Sequence, residues 1–258
     1  MRHTNAVMAK IALRTYLREI ERLVENGYSV QAMAHCRAIL AVFPRHLAAA
    51  RLLGNAALLA ADYPPAKAAY LQVLACLPDD PVSHIGLSVL LETGGELEPA
   101  VWHMQRAAEI QPANTTLQEE LQRLLHLRSE TVPPPPILTR YALARMYQKG
   151  ALYPQASAEI LAALADEPQR LDLQCLLIQI YRQNGQIQDA LQAALPVLER
   201  LPDCLEANLA LFQAGVEQSS TARRRLEALE PHYTGLSGGN LDPGTVPDNF
   251  IQMEKFEG

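Results

Sequence analysis

The sequence predicts an all-α fold, a helical repeat array in which antiparallel helix pairs stack into an α-solenoid. Three observations carry that prediction. The chain is 49% apolar but only 5% aromatic, and Ala and Leu, the strong helix formers, dominate it. Prolines recur at a fixed interval: Pro44, Pro78 and Pro112 are evenly spaced, and Pro168 and Pro202 repeat the same spacing. An alanine stands at one constant offset before each of them, at Ala32, Ala66, Ala100, Ala156 and Ala190.

Each recurring position has a physical task. The small alanine lets the second helix of a pair approach the first closely. Gly27, Gly95 and Gly185 share a second offset before the closing proline, where the inter-helix turn needs backbone freedom, and Ala61 and Ala151 hold that place in the other windows. The closing proline ends the second helix because it lacks an N–H and clashes with the preceding turn. Pro64, Pro99 and Pro154 fall at the start of second helices, and Asp80 followed by Pro81 reads as an N-cap and first helical residue. Leu53, Tyr70, Leu87, Leu143, Tyr147, Leu177 and Tyr181 are expected in the core. No segment shows the alternation of a sheet. A lone pair would expose its apolar flank, so stability comes from stacking neighbours.

Four strings carry a family resemblance: RLLGNAALLAADYPPAKAAYLQVLACLP (51–78), HIGLSVLLETGGELEPAVWHMQRAAEIQP (84–112), YALARMYQKGALYPQASAEILAALADEP (141–168) and LLIQIYRQNGQIQDALQAALPVLERLP (176–202). They resemble the tetratricopeptide repeat family, whose unit is a helix–turn–helix of about 34 residues. The first window keeps Gly27, Ala32 and Pro44 but has Glu19 and Ile20 where the family usually has Leu and Gly. The resemblance covers about 13–231 and implies a right-handed superhelix of stacked pairs that binds other polypeptides.

The register breaks once. Pro112 and Pro168 are separated by more than one interval, and the extra segment holds one amphipathic helix over 115–128, capped by Asn114 or Thr115, followed by four prolines at 133–136. The expected organisation is an N-terminal array of three units plus one helix (1–130), a Pro-rich linker (131–136), a C-terminal array of two units plus a shortened helix pair (137–231) and an irregular tail (232–258). Pro196 lies inside a second helix and is expected to bend it. Phe250, Ile251 and Phe256 could make the tail a docking motif.

Several function classes are disfavoured. A net charge of -6 suits a phosphate backbone poorly, and Arg223, Arg224 and Arg225 form an isolated basic cluster, so no nucleic acid is expected as a partner. Cys36, Cys76, Cys175 and Cys204 form no C-x-x-C pair and read as small buried hydrophobes. No metal spacing, phosphate loop or catalytic constellation is present, so neither an enzyme nor a cofactor is expected. No secretory signal or membrane-length apolar run is read, which predicts a cytoplasmic protein without membrane partners.

What remains is a protein–protein interaction scaffold that receives an extended or acidic polypeptide segment in a concave groove. The first helix of each unit lines that groove, with Arg51, Asn55, Val89, Tyr141, Arg145, Gln148, Lys149, Gln179, Arg182, Gln183 and Gln213 as the candidate residues. Some members of the family clamp a C-terminal carboxylate with a Lys and an Asn one helical turn apart. Arg51 and Asn55 resemble that pair, but Gly86 stands where those members place a further Asn. A homodimer formed through exposed array ends is the alternative role, and single-stranded RNA binding a more distant one.

Overall fold

The computed structural model describes residues 9–129, 138–230 and 250–253. Thirteen helices are present among them. The first pair is α1 (Leu13–Glu25) and α2 (Ser29–Val42), the second α3 (Leu47–Leu59) and α4 (Tyr63–Cys76), and the third α5 (Pro81–Thr93) and α6 (Leu97–Ile110). The solitary helix α7 (Thr115–Ser129) follows. Three further pairs are α8 (Arg140–Lys149) with α9 (Tyr153–Asp166), α10 (Leu171–Gln183) with α11 (Ile187–Arg200), and α12 (Leu205–Gln213) with α13 (Ser219–Leu229). The helices of each pair pack on one another, and consecutive pairs nest side by side. The last pair is shorter than the others. The helix α11 runs through Pro196 as a single element. The polyproline run at 133–136 and Phe256 lie outside the described residues.

The turn inside the units is the same hydrogen-bonded device five times over. After α1, the Gly27 N–H bonds the Val24 carbonyl at 3.1 Å and the Tyr28 N–H bonds the Leu23 carbonyl at 2.8 Å, the paired bonds of a Schellman cap. The cap repeats at Ala61, Gly95, Ala151 and Gly185, where the following N–H reaches back to Ala57, Leu91, Tyr147 and Tyr181. That geometry demands a left-handed residue, and φ is +81° at Gly27, +78° at Gly95 and +75° at Gly185. Ala61 and Ala151 take it as well, at +55° each, so two of the five turns hold a side chain where glycine fits without steric penalty.

The other repeat positions do what their chemistry suggests. Ala32, Ala66, Ala100, Ala156 and Ala190 have no exposed surface. Asp80 caps α5, accepting from the Ser83 N–H at 2.8 Å and the Ser83 hydroxyl at 2.7 Å. Of the two candidates for capping α7, Asn114 supplies the side chain, its Oδ1 accepting from the Leu117 N–H at 3.4 Å. Tyr70, Leu87 and Leu177 are buried, whereas Leu53, Tyr147 and Tyr181 lie at the margins of the apolar clusters. Leu143 is half-buried.

Glycine also makes room in the core. Gly54 on α3 and Gly86 on α5 flank the buried Tyr70 ring, and a Cβ would stand 2.6 Å and 2.3 Å from its atoms. The departure from the family pattern at Gly86 therefore has a local cause: a phenol ring fills the space that a side chain would occupy.

One short sheet accompanies the helices, against the expectation of none. Ala9–Ala12 (β1) pairs antiparallel with Phe250–Met253 (β2), with Ile11 opposite Ile251 and Ala12 opposite Phe250. Two segments from opposite ends of the sequence thus meet through backbone hydrogen bonds, beside a body that is otherwise all-α.

The helices before and after α7 meet along one edge. Arg45 pairs with Asp203 at 2.6 Å, Arg145 with Asp79 at 3.7 Å and Arg170 with Glu109 at 2.9 Å. Leu47, Cys76 and Leu229 share an apolar cluster with Leu205, and Ile110 packs with Tyr141 and Leu173. Residue 45 meets 203, 79 meets 145 and 109 meets 170, so the part of the chain before α7 is joined to the part after it at three places.

Replacing Gly86 with Ala drives a methyl group into the Tyr70 ring. The expected cost is about 2–3 kcal/mol of stability, read as a lower urea midpoint at unchanged slope. The double variant with Tyr70→Phe keeps the clash at the ring carbons and should recover little.

Candidate binding surface

The first helices of the later pairs carry a ladder of polar side chains. The Arg145 guanidinium donates to Gln148 Oε1 at 3.4 Å and to Gln179 Oε1 at 3.2 Å, from α8 to α10. The Gln148 amide donates to Gln183 Oε1 at 2.9 Å, and Arg182 Nε donates to Gln213 Oε1 at 2.9 Å, extending the ladder to α12. The inter-helix links each join positions about one repeat apart, because equal positions on stacked helices face one another. Gln179, Gln183 and Gln213 accept through their oxygens, which leaves their NH2 groups for other acceptors. Gln183 and Lys149 are exposed, and Gln148, Gln179 and Gln213 half-buried.

The arginines among the sequence candidates already hold carboxylates. Arg51 pairs with Asp80 at 2.8 Å, Arg145 reaches Asp79, and Arg182 pairs closely with Glu206. Burial raises the carboxyl pKa of Asp79 and of Glu206, and their arginines pull in the other direction. Burial likewise pushes Glu230, close to Arg51 and Arg14, up to about 7. These pairs join residues far apart in the sequence, and Asp79 meets Arg145 across the fold, which is why no local pattern announced them.

Three other candidates have different tasks. Tyr141 does not line a groove: it is 1% exposed in the core, with the Arg170 guanidinium 5.9 Å from its ring centre, so the expectation that it contacts a ligand is corrected. Asn55 accepts the Tyr70 hydroxyl at 2.9 Å. Val89 is 37% exposed on α5, away from the ladder's links. With Arg51 on Asp80 and Asn55 on Tyr70, both members of the clamp-like pair are engaged within the protein. The docking-tail residues Phe250 and Ile251 lie in β2.

A second cluster was missed. His84 and His103 meet through their Nδ1 atoms at 2.9 Å, and His84 Nε2 lies 3.0 Å from the Pro78 carbonyl. A carbonyl only accepts, so His84 donates from Nε2 and takes a proton-bearing Nδ1 of His103 on its own Nδ1. Burial, then the neighbouring His84, lowers His103 to about 4. Trp102 stands edge-on to His103, with ring centres 4.9 Å apart. These residues line a cavity of about 550 Å³ together with residues 167–172. The cluster had a readable signal: Tyr16–His35, His84–His103 and Arg140–Glu159 are polar pairs with identical separation at one repeat position.

The basic cluster is partly neutralised. Arg223 pairs with Glu227 at 2.8 Å, and Arg225 lies 4.0 Å from Asp203. No helix among the described residues is long and apolar enough to cross a membrane, and no group of three or more metal-ligating side chains converges there.

Nested antiparallel pairs with a shared turn, a buried alanine at each crossing and a closing proline define a tetratricopeptide-like repeat protein. No family model matches the sequence, and no curated protein matches it. Solved structures that resemble it include Naa15/Naa10 bound to HypK-THB, at 15% identity and a TM-score of 0.40, covering 83% of this chain and 30% of that one. The Cut9–Hcn1 hetero-tetramer of the APC/C shows 14% identity and a TM-score of 0.37, covering 86% and 47% respectively. A tetratricopeptide repeat protein from Parabacteroides merdae shows 14% identity and a TM-score of 0.36, covering 84% and 93%. The chain thus spans less than half the length of the first two.

The buried charges can be tested directly. Arg145→Glu would set a second carboxylate against Asp79, and a loss of about 3–5 kcal/mol is expected, measured by chemical denaturation. For Glu230 the folded pKa lies above the unfolded one, so its contribution is fully present below about pH 4.5 and is lost as pH rises through about 7. Glu230→Gln should therefore raise the thermal midpoint at pH 8 and leave it unchanged at pH 4.

Proposed function

We propose that this protein is a binding scaffold for another polypeptide, and that an extended segment of the partner lies along the amide ladder of α8, α10 and α12. The observation that supports this reading is the ladder itself: glutamines facing one another on neighbouring first helices, their oxygens engaged within the protein, with amide N–H groups left over. An extended chain presents backbone carbonyls at regular intervals, and a row of amide donors matches them whatever the partner's side chains. Lys149, exposed at the end of α8, adds a positive charge at the rim.

The charge of the partner follows from the ion pairs. An acidic segment would have to displace Asp79, Asp80 or Glu206 from Arg145, Arg51 or Arg182, giving up pairs already formed inside the protein. The ladder therefore favours a neutral extended segment over an acidic one.

The test removes amides while leaving Arg145 and Arg182 their carboxylate partners, Asp79 and Glu206. A Gln148→Ala, Gln179→Ala, Gln183→Ala variant should fold normally by circular dichroism and retain its thermal midpoint within a few degrees. Affinity capture from native extract should recover the wild-type partner at least 10-fold less with this variant, since three hydrogen bonds at about 1 kcal/mol each are removed. Equal recovery by the folded variant would place recognition elsewhere on the molecule.

A further inference from the structure

The four cysteines are free thiols, and none has more than a trace of exposed surface. They are not equivalent. Cys36 packs in the apolar cluster of the first helix pairs. Cys76 lies at the meeting of the two edges, with Leu47, Leu205 and Leu229. Cys175, on α10, and Cys204, the N-cap residue of α12, face each other with their sulfurs 3.4 Å apart.

We propose that Cys175 and Cys204 are a redox-responsive pair, oxidised by a peroxide to a disulfide that ties α10 to α12. The sulfurs need to close by roughly 1.3 Å to reach bonding distance, less than the play available to two side-chain torsions. The reaction balances with one equivalent of hydrogen peroxide. The first thiolate attacks a peroxide oxygen, the O–O bond breaks, and a sulfenic acid and water form after proton uptake. The second thiol attacks that sulfur, the S–O bond breaks, and a second water leaves as the disulfide forms. Two thiols are oxidised and one peroxide is reduced to two waters.

Burial sets the rate. Cys175 is kept in its thiol form by its contact with Cys204 and by its surroundings, and neither sulfur is open to solvent. Peroxide reaches the pair when α12 and α13 open locally, so oxidation is slow and selective for conditions that loosen the end of the array. The new bond would hold fixed the spacing between Gln179 and Arg182 on one helix and Glu206 and Gln213 on the other. The thiol chemistry stands independently of the binding reading, but its consequence for binding rests on it.

The reduced full chain, freed of reductant, is treated with hydrogen peroxide under native conditions, unfolded, alkylated and mapped by mass spectrometry. Two of the four thiols should be lost together, with a linked Cys175–Cys204 peptide, while Cys36 and Cys76 remain alkylated. Cys204→Ser should abolish the linked peptide, and Cys76→Ser should leave it unchanged. Four alkylated cysteines, a Cys76–Cys204 link, or sulfinic acid without a link would each overturn the proposal. Should Cys204→Ser fail to fold, the wild-type map and Cys76→Ser decide the matter alone.

Discussion

Close approach of the two helices in the repeat units is the constraint on which the rest of the molecule depends. In five of them it is enforced at one place, by an alanine with no exposed surface: Ala32, Ala66, Ala100, Ala156 or Ala190. A larger side chain there would force the pair apart, and each pair forms the bed on which the next one lies. The Schellman turns act on the same quantity, since they fix the angle at which the second helix returns. Where the turn is made by Ala61 or Ala151, the strain of a left-handed alanine is borne by the packing that surrounds it.

Charge helps join the part before α7 to the part after it. Arg45, Arg145 and Arg170 each bridge to a carboxylate on the far side of that helix in the sequence, two of them in surroundings that exclude most water. Buried pairs of this kind contribute little net stability but penalise wrong alignments heavily, because a slip leaves a charge without its partner. They are suited to fixing which edge meets which. The pairs with Asp79 and Glu206 remove Arg145 and Arg182 from the pool of groups free to hold a ligand, and leave glutamines as the ladder's available donors.

The repeat units were legible because their determinants are local and periodic. Proline stops, glycine turns and buried alanines each act within one unit, so spacing alone exposes them. The two-stranded pairing of Ala9–Ala12 with Phe250–Met253 was not, because it joins distant segments through backbone groups that any sequence possesses. The candidate surface was legible in part. The repeat spacing places Arg145 beside Gln179, and Gln148 close to Gln183, on neighbouring helices. Their carboxylate partners could not be read, since Asp79 and Arg145 lie in different parts of the chain, and no periodicity encodes their meeting. Tyr141 was misplaced for a related reason: it is covered by residues from the other edge, Ile110 among them.

The chain's single tryptophan lies at this seam. Trp102 and His103 line the cavity together with residues 167–172. Indole emission is sensitive to nearby imidazole rings and to water, so a change in the packing around Trp102 and His103 would be read at one tryptophan. The molecule carries a built-in optical reporter of the surroundings of this cavity, with no label attached.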